Sequence, residues 1–504
     1  MLRTMFSILR LRHLALIAAL LIPAATFAQE PNTAPAERQQ NAGVLRLLPE
    51  DVVTDHSIKL RDGAKLDYAA TAGTLDLFGQ DGQRTAAIFY TAYARKGGDT
   101  ARRPVTFVFN GGPGAASAYL HLGLAGPRIA NFGPNGRDGA NATIVDNPDT
   151  WLAFTDLVFV DPVGTGWSRT VKPDDAKNFY NVRTDAQVLA KIVALYTAKN
   201  ARTSSPKYIL GESYGGFRAV KVARAMQHDQ GIVAAGIIAL SPLLEGSLQF
   251  GANRFALGAA LQLPSLAAAE LERRGKFTPD ALADAERFAM TDYLTTLAGA
   301  PPQGQAADDF YRRIADLTGL PIDVVKRTRG FVRDAYAKHL RDNGVVSSYD
   351  VNFAVPDPYP ESASAHNDDP VLDGFSRALG GLTSGYLRNE LGFKTEMTYE
   401  LLASDISRKW DWQGESLGRA SAAGDIRELL ALNSSFRLMV AHGTSDLVTP
   451  YGVSRYVVNH LPPIGGTDRV QLKLYRGGHM FYFTPASRIA FTDDAKAFYS
   501  PAAE

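Results

Sequence analysis

The chain has no cysteine among its 504 residues. Disulfides, thiolate metal sites and a thiol nucleophile are therefore excluded, and stability has to come from burial. An excess of charge of either sign is missing too, since 53 Lys and Arg stand against 52 Asp and Glu. Such a balance leaves no electrostatic footprint for a nucleic-acid partner. Long apolar runs are also scarce. The run at residues 14–22 is shorter than the ~20 residues that span a bilayer, and no later stretch supplies such a span. Arg3, Arg10 and Arg12 precede it, and Pro23 and small residues lead from it to Ala28. The pattern reads as a secretory signal peptide over residues 1–28, with an uncleaved membrane anchor as the competing reading. A periplasmic or secreted protein beginning near Gln29, without stable membrane insertion, is the expectation. Removing the three arginines leaves 50 basic and 52 acidic residues, a net charge near −2. Residues 29–45 are expected to be a disordered leader, because Pro, Ala, Gln and Asn dominate its first part.

What is present points to a large globular core. Apolar residues make up 45% of the chain and charged ones 21%, enough for one sizeable core with an added subdomain. Residues 58–94 alternate apolar and polar side chains around Asp62-Gly63 and Asp81-Gly82, the pattern of antiparallel hairpins. After Pro104 the pattern changes to short continuous apolar runs, VTFVF, DLVFV, YILG and IIALS, separated by segments of helical spacing. Runs of that kind suit a parallel sheet covered on both faces. The fold class is thus α/β, a mixed and mostly parallel central sheet with helices on both faces, over residues 46–244 and 421–504. Between them, residues 245–420 interrupt the strand–helix rhythm with helical stretches such as the one opened by Thr278 and Pro279. They read as a helical cap insertion. The sequence holds no internal repeat.

The stretch GESYG, residues 211–215, sits where the apolar run Tyr208-Ile209-Leu210 ends and a helix begins. G-x-S-x-G at a strand-to-helix corner is a nucleophile elbow, which pushes Ser213 above the sheet. Alone, the pattern is also that of a plain Gly-rich turn. A serine needs an imidazole to take its proton and a carboxylate to hold that imidazole. Asp446 follows the run SFRLMVAHG, and His479 follows VQLKLYRGG, so both fall on loops after late strands in the chain order serine, acid, histidine. Rivals are Asp161, too early in that order, and His121, His442 and His460, which read as helix-face or strand residues. The oxyanion hole needs two backbone N–H groups, assigned to Tyr214 and to Gly112 in NGGPG.

Four blocks, FNGGPGAAS, FVDPVGTGWS, GESYGG and the pair HGTSDLVTP with GGHMFYF, resemble the serine carboxypeptidases of the S10 peptidase family. The resemblance implies an α/β-hydrolase fold with a helical cap and removal of single residues from peptide C-termini. It implies Ser213, Asp446 and His479 as triad, Gly112 and Tyr214 as oxyanion donors, and Asn110 and Glu212 as ligands of the substrate's terminal carboxylate. No metal or organic cofactor is required, and peptides are the expected partners. The chain departs from the family pattern at Val108, Ala115 and Leu124, which stand where tryptophan, cysteine and, in eukaryotic members, glutamate are usual. An esterase or acyltransferase on the same scaffold, or a catalytically silent binding protein, are the alternatives.

Overall fold

The computed structural model describes residues 43–339, 344–361, 368–412, 416–466 and 468–500. The expected signal peptide and most of the expected leader lie outside these residues. The last part of the leader does not: Gly43–Leu47 form a 3-10 turn whose Leu45 is buried. Ordered structure thus begins before residue 46, because an apolar side chain there finds a core to enter.

The central sheet contains β1 (Val52–Lys59), β2 (Lys65–Phe78), β3 (Arg84–Arg95), β4 (Val105–Phe109), β5 (Asp156–Val160), β6 (Lys207–Glu212), β7 (Gly236–Leu240), β8 (Arg437–Gly443) and β9 (Val470–Tyr475). Their order across the sheet is β1-β2-β3-β5-β4-β6-β7-β8-β9, and the short strand Arg169–Thr170 pairs with β3. The first three are an antiparallel meander that joins β5 antiparallel, and from β5 to β9 every pairing is parallel. This is the mixed, mostly parallel sheet of an α/β-hydrolase fold.

Burial explains why the central strands lost the alternation seen in the hairpins. In β5, Leu157 and Phe159 enter one apolar cluster while Val158 and Val160 enter another. In β6, Tyr208 and Leu210 face the first and Ile209 the second. Successive positions there are therefore apolar because each face of the sheet has its own core. Each such side chain contributes roughly 1.5–3 kcal/mol by leaving water. The second cluster is closed by α1 (Val182–Lys199) and α2 (Tyr214–Gln230). Asn181 starts α1 by accepting the Thr184 N–H at 2.8 Å, as an N-cap does.

The segment between β7 and β8 carries α3 (Ala256–Arg273), α4 (Pro279–Phe288), α5 (Gly304–Thr318) and α6 (Ala378–Asn389). Thr278 caps α4 by accepting the Ala281 N–H at 3.1 Å, with Pro279 in the first turn. Residues from α3, α4 and α5, with Tyr293, Tyr336 and Leu447 from neighbouring segments, build a third cluster around Leu263, Phe310 and Ile314. The chain after Pro321 does not form one continuous helix. Arg329 and Gly330 adopt φ of 54° and 86°, which separates Ile322–Arg327 from Arg333–His339. The described residues from 345 to 361 are not helical either, and include the two-residue strands Val345–Val346 and Ala354–Val355. Among the described residues no helix is long and apolar enough to cross a membrane.

Candidate active site

Parallel pairing brings five strand ends to one edge of the sheet. β4 runs into Asn110, β6 into Ser213, β7 into Ser241, β8 into the turn with Asp446, and β9 into the loop with His479. Ser213 has φ 62° and ψ −125°, a conformation rarely tolerated by a non-glycine residue. Its glycine neighbours make the turn possible: a Cβ at Gly211 would stand 2.0 Å from the Gly215 carbonyl oxygen. The Ser213 N–H donates to Leu240 at 2.9 Å, and its carbonyl accepts from Gly216 at 2.9 Å and Leu243 at 3.2 Å. The strained residue is thus fixed by its backbone, leaving the hydroxyl for other work.

Asp446 and His479 are fully paired. His479 Nδ1 lies 2.8 Å from Asp446 Oδ2, and the other carboxylate oxygen accepts the Val448 and Thr449 N–H groups at 2.8 and 3.0 Å. The Thr449 hydroxyl lies 2.7 Å from Asp446 Oδ2 and 3.0 Å from His479 Nδ1. Burial pushes the Asp446 carboxyl up, but the His479 charge and hydrogen bond outweigh it and hold the group below its ordinary value. For His479, burial lowers the imidazole, whereas the Asp446 charge and hydrogen bond raise it, with a net rise. The Ser213 hydroxyl is not hydrogen-bonded to His479 among the described contacts. A loose nucleophile–base distance is common before substrate binds.

Asn110 and Glu212 also meet. Asn110 Nδ2 donates to Glu212 Oε2, and the Tyr482 hydroxyl stands 2.9 and 3.1 Å from the two Glu212 oxygens. Burial pushes the Glu212 carboxyl up to about 7, against the His479 charge and the Tyr482 and Asn110 hydrogen bonds, which lower it. The loop after β4 passes so close that a Cβ at Gly111 would lie 2.8 Å from the Tyr214 nitrogen. Among the described residues, no hydrogen bond takes up the backbone N–H of Gly112 or Tyr214.

The rivals lie elsewhere or are already occupied. His121 is buried between a Tyr93 hydroxyl at 2.7 Å and the Phe159 ring, and burial lowers it to about 3. His442 bonds Ser454 Oγ at 2.7 Å and burial lowers it to about 4. His460 ends its helix against the Tyr456 carbonyl. Asp161 accepts the Ser117 N–H at 2.8 Å and braces the chain after NGGPG.

Several supporting residues escape sequence reasoning. Ser241, at φ 42°, donates its N–H to Ala441 at 2.7 Å and its hydroxyl to the His479 carbonyl at 2.8 Å, and accepts from Thr449 Oγ1 at 2.8 Å. It ties the strand beside that of Ser213 to the loops of Asp446 and His479. Arg218 pairs with Asp185 at 2.7 Å and donates to the Asn110 carbonyl at 2.5 Å. Neither residue carries a sequence signal. Tyr482, in GGHMFYF, lay within a recognised block yet had no assigned partner. Val108, Ala115 and Leu124 are all buried. Among the described residues there is no cluster of three or more His, Cys, Asp or Glu able to hold a metal ion.

The serine carboxypeptidase family matches residues 68–236, a stretch that holds Asn110, Gly112, Glu212, Ser213 and Tyr214. Residues 68–236 are thus similar to the serine carboxypeptidases. Serine carboxypeptidase-like 51 of Arabidopsis thaliana is 36% identical over 124 residues, 24% of each chain, and serine carboxypeptidase-like 35 of the same plant is 29% identical over 146 residues, 29% of each chain. The aligned stretches thus span only about a quarter of the curated carboxypeptidase-like relatives. Kex1(delta)p, a prohormone-processing carboxypeptidase from Saccharomyces cerevisiae, aligns with a TM-score of 0.54 over 86% of this chain and 91% of its own, at 14% identity. At that identity the likeness shows the fold alone.

Proposed function

We propose that the protein is an exported serine carboxypeptidase that removes C-terminal residues from peptides through an acyl-enzyme. The observation that carries this reading is the buried Asn110–Glu212–Tyr482 cluster next to the nucleophile. A carboxyl poised near pH 7 can share its proton with a carboxylate brought against it, which would otherwise meet like charge. A free peptide C-terminus supplies such a carboxylate, one residue from the bond to be cut.

Ser213 Oγ attacks the last peptide carbonyl while His479 Nε2 takes the hydroxyl proton. Asp446 holds Nδ1–H toward itself, which fixes the tautomer and stabilises the imidazolium. The Gly112 and Tyr214 N–H groups receive the developing oxyanion. His479 then protonates the departing amino acid, and the same imidazole activates water to release the shortened peptide and regenerate Ser213. No step calls for a metal or organic cofactor.

The test is mass spectrometry of a defined peptide library incubated with wild-type protein and with Ser213→Ala. Stepwise loss from free C-termini, absent in the variant, is the expected result. Internal cuts would replace the assignment with an endopeptidase, and turnover of simple esters alone would replace it with an esterase.

A further inference from the structure

The Tyr119 hydroxyl is an anomaly in this site. Tyr119 lies in the short helix Ala118–Leu120, is 3% exposed, and its hydroxyl is buried with no hydrogen-bond partner among the described residues. Buried polar groups are nearly always paired, so an orphan hydroxyl where phenylalanine would pack equally well calls for a reason. Neighbouring phenols are satisfied: Tyr482 bonds Glu212, and Tyr93 bonds His121 and Tyr386.

Its surroundings are those of the carboxyl cluster. The next residue, Leu120, donates its N–H to Asn110 Oδ1 at 3.0 Å. Gly123, four residues on, packs so tightly against Tyr482 that a Cβ there would lie 2.7 Å from the ring. Glu212 is already met by Tyr482 and by one Asn110 amide N–H, which leaves the second amide N–H free to donate. Burial first, then the opposing charges of Arg377, Glu212 and Asp373, leave the Tyr119 phenol well above its ordinary range. It therefore stays protonated and can only gain by donating to an anion. A cleft of about 410 Å³ is lined by Gly123, four residues on from Tyr119, and by Tyr349, Phe375, Met480 and Phe483 among others.

We infer that Tyr119 is a substrate-binding residue whose hydroxyl, with the second Asn110 amide N–H, donates to the free carboxylate of the bound peptide beside Glu212. The inference rests on the carboxypeptidase reading above. It assigns to two neutral donors what a cation does in many carboxylate sites, and so keeps Glu212 free to exchange its proton.

Tyr119→Phe removes one oxygen and preserves the ring. KM is measured for wild type and variant on one peptide with a free C-terminus and on its C-terminal amide, alongside thermal unfolding of both proteins. The ratio of KM for the free acid to KM for the amide should rise about tenfold, the scale of one hydrogen bond to a charged group, with a melting temperature equal to or above that of wild type. An unchanged ratio overturns the inference. A lowered melting temperature with both KM values shifted alike also overturns it, because it marks a structural hydroxyl. If wild type itself treats acid and amide alike, the carboxylate reading fails with it, a result visible without the variant.

Discussion

Two carboxyl groups lie buried at the same sheet edge, and they are held in opposite states. Asp446 accepts from an imidazole, two backbone N–H groups and a hydroxyl, and lies below its ordinary pKa. Glu212, among the described residues, accepts from the neutral Asn110 amide and Tyr482 phenol, and is pushed up to about 7 by burial. Equal burial thus gives different chemistry because the partners differ in number and charge. Asp446 is suited to remain an anion through the reaction, whereas Glu212 is suited to pick up and lose a proton in the working range.

The largest effect should come from erasing the charge at the first site. In Asp446→Asn the amide faces Nδ1 as a donor, so the imidazole is turned to the tautomer that carries its proton on Nε2 and cannot act as base. We expect kcat to fall by roughly 10³–10⁴, with the chain still folded, as circular dichroism and steady-state kinetics can establish. Retention of most of the activity would remove Asp446 from the triad.

A smaller, pH-dependent effect is expected at the second site. Glu212→Gln can donate to a carboxylate at every pH, so the rise of KM with pH on free-acid peptides should flatten while the triad persists. Stability should carry the same signature. Glu212 has a raised folded-state value, so the native chain binds the proton more tightly than the unfolded one, and stability is lost as pH rises from about 4.5 through about 7. The Gln variant should lack that fall in melting temperature. An unaltered pH slope in both KM and stability would leave Glu212 a structural acid.

The smallest shift belongs to Tyr482→Phe. The Tyr482 hydrogen bond lowers the Glu212 pKa, so its loss should carry the value further up and move the KM rise to higher pH. The kcat profile, governed by His479, should stay in place. Movement of both profiles together would mean that Glu212 and His479 titrate as one unit.

How much of this was legible in the sequence depends on distance along the chain. The elbow around Ser213 is local, with strand, glycines and helix start inside about ten residues. Asp446 and His479 could be placed because each follows a continuous apolar run, and parallel strands put such ends on one edge. Contacts made across the fold had no such trace. The Tyr482–Glu212 hydrogen bond spans 270 residues and the Ser241–His479 bond 238, so neither can be read from spacing. The insertion was legible in α4, where Thr278 and Pro279 give a start signal, and illegible over residues 345–377. There, short strands and turns such as the Asp369 side chain accepting from Val371 and Leu372 have no period to detect. Leu45, in the stretch assigned to the leader, shows the same limit, since a single buried side chain cannot offset a disordered-looking composition in sequence alone.

The most direct test of the division between the two carboxyls is KM of the wild-type enzyme across mildly acidic to mildly basic pH, on a matched pair of peptides ending in a free acid or an amide. The account predicts a KM for the acid that climbs once pH passes about 7, where Glu212 loses its proton, while KM for the amide stays level and kcat for both rises until His479 is neutral. A KM for the free acid that is flat across that range, or one that tracks the amide, would contradict it.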